Sequence, residues 1–148
     1  MLSVFRIIGP MILVVMGLDL AFAEYPANFL PLTRYNAAGV ASHRVTTLPV
    51  GSPYYAEATW FISGRPTPWN RALYECQAGA WDFFLSFDPG CEGQRQVTYA
   101  PIGYISQQPR PGSTALYRCY VYGSNHFAST DPGCEGQINE GPLGYVRQ

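Results

Sequence analysis

Along Leu116-Tyr117-Arg118-Cys119-Tyr120, and again along Leu73-Tyr74-Glu75-Cys76-Gln77, the side chains carry the two-residue alternation of a strand with one buried face. After the first of these runs, Gly123-Ser124-Asn125 reads as a turn, His126 to Thr130 as a second strand and Asp131-Pro132-Gly133 as another turn. Gly141-Pro142-Leu143-Gly144-Tyr145-Val146 reads as a closing third strand. Helical periodicity is nowhere sustained, and 13 Pro with 15 Gly interrupt the chain too often for long helices. The pattern predicts an all-β fold.

The strand pattern is repeated in the residues themselves. Leu73 to Gln94 lies without a gap on Leu116 to Gln137, where Leu73, Tyr74, Cys76, Phe84, Ser86 and the whole run Asp88 to Gln94 meet identical residues. Pro101-Ile102-Gly103-Tyr104-Ile105 then matches Pro142-Leu143-Gly144-Tyr145-Val146. A more worn copy is read upstream in Leu32 to Thr47, with Tyr35 where Cys119 stands and His43 where His126 stands, followed by Trp60 to Ser63. Three β-rich repeats of about 40 residues are therefore expected, at about 32–63, 73–106 and 116–146, joined by linkers rich in Pro and Gly. Three units sharing one core point to a β-trefoil-like barrel, with a two-sheet sandwich as the alternative.

At the N-terminus, Ile7 to Phe22 is apolar apart from Asp19, follows one positive charge and ends in Ala21-Phe22-Ala23. That is the layout of a signal peptide over 1–23, cut before Glu24, with a single domain over 24–148 and a secreted or periplasmic product. The apolar run is shorter than the roughly 20 residues a membrane span needs.

Charge excludes one class of partner. The chain has no Lys, and its arginines are scattered singly, so no basic stripe exists to track nucleic-acid phosphates or an anionic membrane. The four cysteines, Cys76, Cys91, Cys119 and Cys134, are an even set at matching spacing, as in the disulfide framework of an exported protein. Three pairings are open to four cysteines, and the repeat favours Cys76 with Cys91 and Cys119 with Cys134. No C-x-x-C motif and only two His argue against a metal, and no cofactor motif is present.

Leu116-Tyr117-Arg118, His126-Phe127-Ala128-Ser129-Thr130 and Gly144-Tyr145-Val146 resemble the unit of a secreted bacterial and fungal repeat family of unknown function. Leu73-Tyr74, Phe84-Leu85-Ser86 and Gly103-Tyr104-Ile105 carry the pattern less fully, and the likeness spans about 32–146. The resemblance implies an accessory binding role outside the cell. Phe83 in place of His126, and the missing Cys pair in the first copy, mean that a ligand site depending on the histidine or on the Asp-Pro-Gly-Cys-Glu-Gly turn cannot be present three times.

Candidate chemistry is sparse. Asp131, Glu135 and His126 hold the ingredients of acid–base hydrolysis, but Asp88 and Glu92 occupy the same places without a histidine, so Asp-Pro-Gly reads as a turn. His126 is expected on a strand with a ring nitrogen bonded to backbone. No G-x-S-x-G is present and no free Cys remains if the pairs form, so the chain does not read as an enzyme. The aromatic load is more informative, since all 11 Tyr and 3 Trp follow the signal segment. Tyr74, Tyr117, Tyr104 and Tyr145 recur and are assigned to packing. Trp81, Tyr120, Tyr122 and His126 are the candidate ligand-binding surface. The expected function is a non-catalytic binding module for carbohydrate or cell-wall polymer. A protein-binding effector or inhibitor is the alternative, and a small hydrolase the third reading.

Overall fold

The computed structural model describes residues 28–148, and the expected signal segment with its cleavage point lies outside them. Ten strands form three stretches: β1 (Phe29–Ala37), β2 (His43–Thr46) and β3 (Tyr54–Ser63); β4 (Asn70–Gln77), β5 (Phe83–Ser86), β6 (Arg95–Gln96) and β7 (Gly103–Ser106); β8 (Ser113–Val121), β9 (Asn125–Ser129) and β10 (Ile138–Arg147). Among the described residues the only helical elements are single 3-10 turns at Cys91–Gly93 and Cys134–Gly136. The fold is antiparallel β-sheet, as the alternation predicted. No helix among the described residues is long and apolar enough to cross a membrane.

Within each stretch the long first strand carries the second on one edge and the third on the other, giving the orders β2-β1-β3, β5-β4-β7 and β9-β8-β10. The third strands join the stretches through single bridges at their ends, Ser63 to Tyr104, Ser106 to Tyr145 and Phe61 to Arg147. The first strands β1, β4 and β8 pair only inside their own stretch among the described residues.

The core follows from the two-residue period. Leu32, Leu73 and Leu116, one on each first strand, are wholly buried, and Ile62, Ile105 and Val146 lie with them in one cluster. Val45, Leu85 and Ala128 from the second strands join it, with Trp60, Ile102 and Leu143. Burial of each large side chain contributes roughly 1.5–3 kcal/mol. The leucines stand opposite Trp60, Gly103 and Gly144. At Gly144 the backbone has φ +139°, and a Cβ would collide with the Ser106 carbonyl oxygen, so only glycine fits where β10 crosses β7.

Two residues beyond each leucine the chain places a charge that reaches into a neighbouring stretch. Arg34 donates to Glu135 (2.6 Å) and to the Ala128 carbonyl (3.2 Å), and Arg118 donates to Glu92 (2.7 Å) and to the Leu85 carbonyl (3.2 Å). Each arginine also pairs with a glutamate of its own stretch, Glu57 at 2.9 Å or Glu140 at 2.8 Å. Both glutamates are the extra residue of a β-bulge, since Arg34 and Tyr35 face Ala58 and Ala56, and Arg118 and Cys119 face Gly141 and Asn139. A bulge re-aims its side chain, here back over the arginine. On β4 the sign is reversed. The first stretch has no Asp-Pro-Gly-Cys-Glu-Gly turn to offer a carboxylate, and Glu75, fully buried, instead accepts from Arg44 and from Thr46 Oγ1 (2.7 Å).

The disulfides are Cys76–Cys91 and Cys119–Cys134, with Cα atoms 5.5 and 5.6 Å apart, as the repeat favoured. Each packs in a satellite cluster with a half-buried tyrosine, Tyr74 or Tyr117, and a buried phenylalanine, Phe84 or Phe127.

Two expectations about stability follow from these contacts. Glu75→Ala leaves the half-buried Arg44 cation without its carboxylate and empties a buried site, and should cost about 3 kcal/mol in urea unfolding, whereas Glu75→Leu combined with Arg44→Leu should recover most of it. Removing the 119–134 disulfide by Cys119→Ala with Cys134→Ala should cost about 3 kcal/mol on the loop-entropy account, read from the same transition.

Candidate functional site

The hairpins joining first to second strands gather at one pole. Asn125 Oδ1 accepts from the His43 backbone N–H (3.2 Å) and faces His43 Nδ1 at 2.8 Å; Asp82 Oδ1 does the same for His126, at 2.8 Å in both contacts. Ser42 Oγ donates to the Trp81 carbonyl (2.6 Å), so Ser42, Asp82 and Asn125, each at or just before the start of a second strand, tie one hairpin to the next. The His126 ring packs 4.7 Å from Tyr120 and 5.3 Å from Phe84, with Nε2 at 3.3 Å from Glu140. Its ring partners are therefore two carboxylates, where a backbone partner was expected. A chain of polar contacts, Asp82–His126–Glu140–Arg118–Glu92, runs across the seam between the second and third stretches.

Of the four residues expected to form a ligand surface, His126 and Tyr120 are thus stacked on each other, and the Tyr120 hydroxyl accepts from the Gly123 N–H (3.0 Å). Trp81 and Tyr122 remain open, 46 % and 85 % exposed, on two different hairpins.

The acidic turn is built for itself. Asp131 accepts from the N–H groups of Gly133 (2.9 Å) and Glu135 (2.8 Å), and Glu135 accepts from Ser129 (2.7 Å) and Arg34. Asp88 and Glu92 repeat these bonds. Cys134 and Glu135 take φ of 50° and 56°, left-handed values that the turn's bonds and the disulfide hold in place. His126 bonds to Asp82 and Glu140, and no hydrogen bond or ion pair among the described residues joins it to Asp131 or Glu135.

A groove opens at the other pole, where the first strands begin and the third strands meet. Phe29, Phe61, Trp69, Tyr104 and Tyr145 line a cavity of about 240 Å³ together with Arg110 and Arg147. Two short loops position the rim by the same device. Asn70 accepts from the Thr67 N–H (2.8 Å) and donates to the Arg65 carbonyl (3.0 Å), fixing the loop that presents Trp69. Ser113 accepts from the Arg110 N–H (2.8 Å) and donates to its carbonyl (2.7 Å), fixing the loop that presents Arg110. The Arg110 guanidinium lies 5.1 Å over the Trp69 ring, and that of Arg147 lies 5.1 Å over Phe29. No acidic residue lines this groove. A larger hollow of about 560 Å³ lies between the second and third stretches, but its Arg118, Glu92 and Glu140 are already bonded to one another.

Tyr104 and Tyr145, assigned from the sequence to packing, are half-buried and turn one side to the groove. Phe29, Phe61, Arg110 and Arg147 carried no signal, because the groove draws single residues from the ends of strands far apart in the chain. No protein-family model, curated protein or solved structure matches this chain.

Three carboxylates set the acid limit of the fold. Gly133 and Glu135 N–H groups hold Asp131 below its ordinary value, and the Arg118 hydrogen bond does the same for Glu92. Burial pushes Glu135 up, but bonds from Arg34 and Ser129 outweigh it and leave the group lowered. A lowered folded pKa contributes stability that is fully present above the unfolded value near about 4 and is lost as pH falls through the folded value. Urea midpoints should therefore be flat from about pH 7 to pH 5 and fall below about pH 4. Asp131→Asn should lower the plateau and flatten the acid limb.

Proposed function

We propose that this chain is an exported, non-catalytic binding module for a carbohydrate or cell-wall polymer, held at the strand-end groove. The observation that carries the reading is the convergence of five aromatic rings with serine and asparagine groups in one cavity. Flat rings with a polar edge suit sugar faces, which are apolar on one side and hydroxylated at the rim. The two buried disulfides fit an oxidising compartment.

The architecture is read as three copies of one β unit around a pseudo-threefold axis, trefoil-like in its symmetry. Leu32, Leu73 and Leu116 hold the same register position, and so do His43, Phe83 and His126, which lie opposite Asn36, Gln77 and Tyr120. This supports the resemblance to the secreted repeat family, whose unit ends in the Gly-Tyr-Val that supplies Tyr145 to the groove. The axis would run from the hairpin pole to the groove, so one site serves three units.

A protein-directed effector or inhibitor is the second reading. It is favoured by Val40, Trp81 and Tyr122, exposed apolar side chains on the three hairpin ends that pack together. Sedimentation with insoluble polysaccharides separates the two. Trp69→Ala with Tyr104→Ala should abolish retention on a polymer, and Trp81→Ala with Tyr122→Ala should leave it intact. The opposite pattern, or capture of a defined protein that only the hairpin variant loses, places function at the other pole.

A further inference from the structure

We propose that the groove selects anionic sugars, and that its occupant is a uronate-bearing polysaccharide whose ring carboxylate is held between Arg110 and Arg147. The inference rests on the binding-module reading and adds the chemical class of the ligand.

The argument is one of charge placement. Every acidic residue in the described part of the chain is engaged away from the groove. Glu57, Glu75, Glu92, Glu135 and Glu140 face arginines, and Asp82 faces His126. Asp88 and Asp131 are occupied by backbone N–H groups of their turns. Arg34, Arg44 and Arg118 are consumed in the same pairs. Arg110 and Arg147, like Arg65, Arg71 and Arg95, have no carboxylate within ion-pair distance among the described residues, and of these five only Arg110 and Arg147 line the groove. A ring beneath each guanidinium orients it without neutralising it, which leaves the planar donor fork free at its edge. That fork matches a carboxylate in two parallel hydrogen bonds, better than it matches a hydroxyl.

Size favours a sugar over an acidic peptide. A cavity of about 240 Å³ lies below the range usual for drug-sized ligands and is scaled to a ring or two. Its aromatic walls suit pyranose faces, and its rim presents side chains, among them Trp69 and Arg110.

The test compares polymers that differ only in charge. Polygalacturonate and alginate, each alongside its methyl-esterified form, are immobilised with a neutral glucan and a poly-glutamate resin as further arms. Retention should be at least tenfold stronger on the free acids than on their esters and should weaken as salt rises from 50 to 500 mM. Arg110→Gln and Arg147→Gln should each lower it about tenfold, while Arg95→Gln, an exposed arginine outside the groove, should not. Unchanged thermal unfolding of the groove variants excludes misfolding as the cause. Equal retention on acids and esters, or on the neutral glucan, overturns the charge selection and leaves the binding module standing. Retention on poly-glutamate alone assigns the groove to a peptide and overturns the sugar. Retention on none of the polymers overturns both the inference and the reading beneath it.

Discussion

A sheet of three strands with one apolar face cannot hide that face by itself, and every other feature of this molecule answers to that constraint. Leu32, Leu73 and Leu116 are wholly buried only because each stretch lends its inner face to the other two. The apolar contacts are not directional and would tolerate rotation of one sheet against its neighbour. Arg34, Arg118 and Glu75 remove that freedom, since each fastens to a residue of a different stretch at a fixed place along the strand. Burial thus provides the driving force, and the charged grips determine the angle at which it is satisfied.

Much of the fold was legible because it is written in short-range patterns. The alternation around Leu73 and Leu116 gave strands, Asp-Pro-Gly gave the turns, and the matched spacing of cysteines gave the disulfide partners. The grips were not legible. Nothing near Glu75 in the sequence announces that Arg44 will meet it, because the contact spans two sheets and exists only after both have docked. The histidine followed the same logic: its neighbours in sequence suggested a backbone bond, while its partners in space, Asp82 and Glu140, come from another stretch and from another strand of its own.

The groove was hidden for a related reason. Residues that recur at equal spacing look like packing, and Tyr104 and Tyr145 were assigned to packing on that ground. Both lie on third strands, and those strands meet at the groove, where each ring turns one side to the opening. The unrepeated residues then give that opening its character, since Trp69, Arg110 and Phe29 have no counterpart of their own type in the other stretches. The shared positions build the frame, and departures from the pattern line its opening.

The reversed charge on β4 has a consequence for assembly. An arginine in place of Glu75 would face Arg44 and find no turn carboxylate in the first stretch. Glu75 makes the seams unlike. Against the carboxylate of Glu135 it would meet its own sign, and against Arg44 and Thr46 it finds partners. The single inverted position thus marks the one seam that Glu75 fits, the seam with the first stretch.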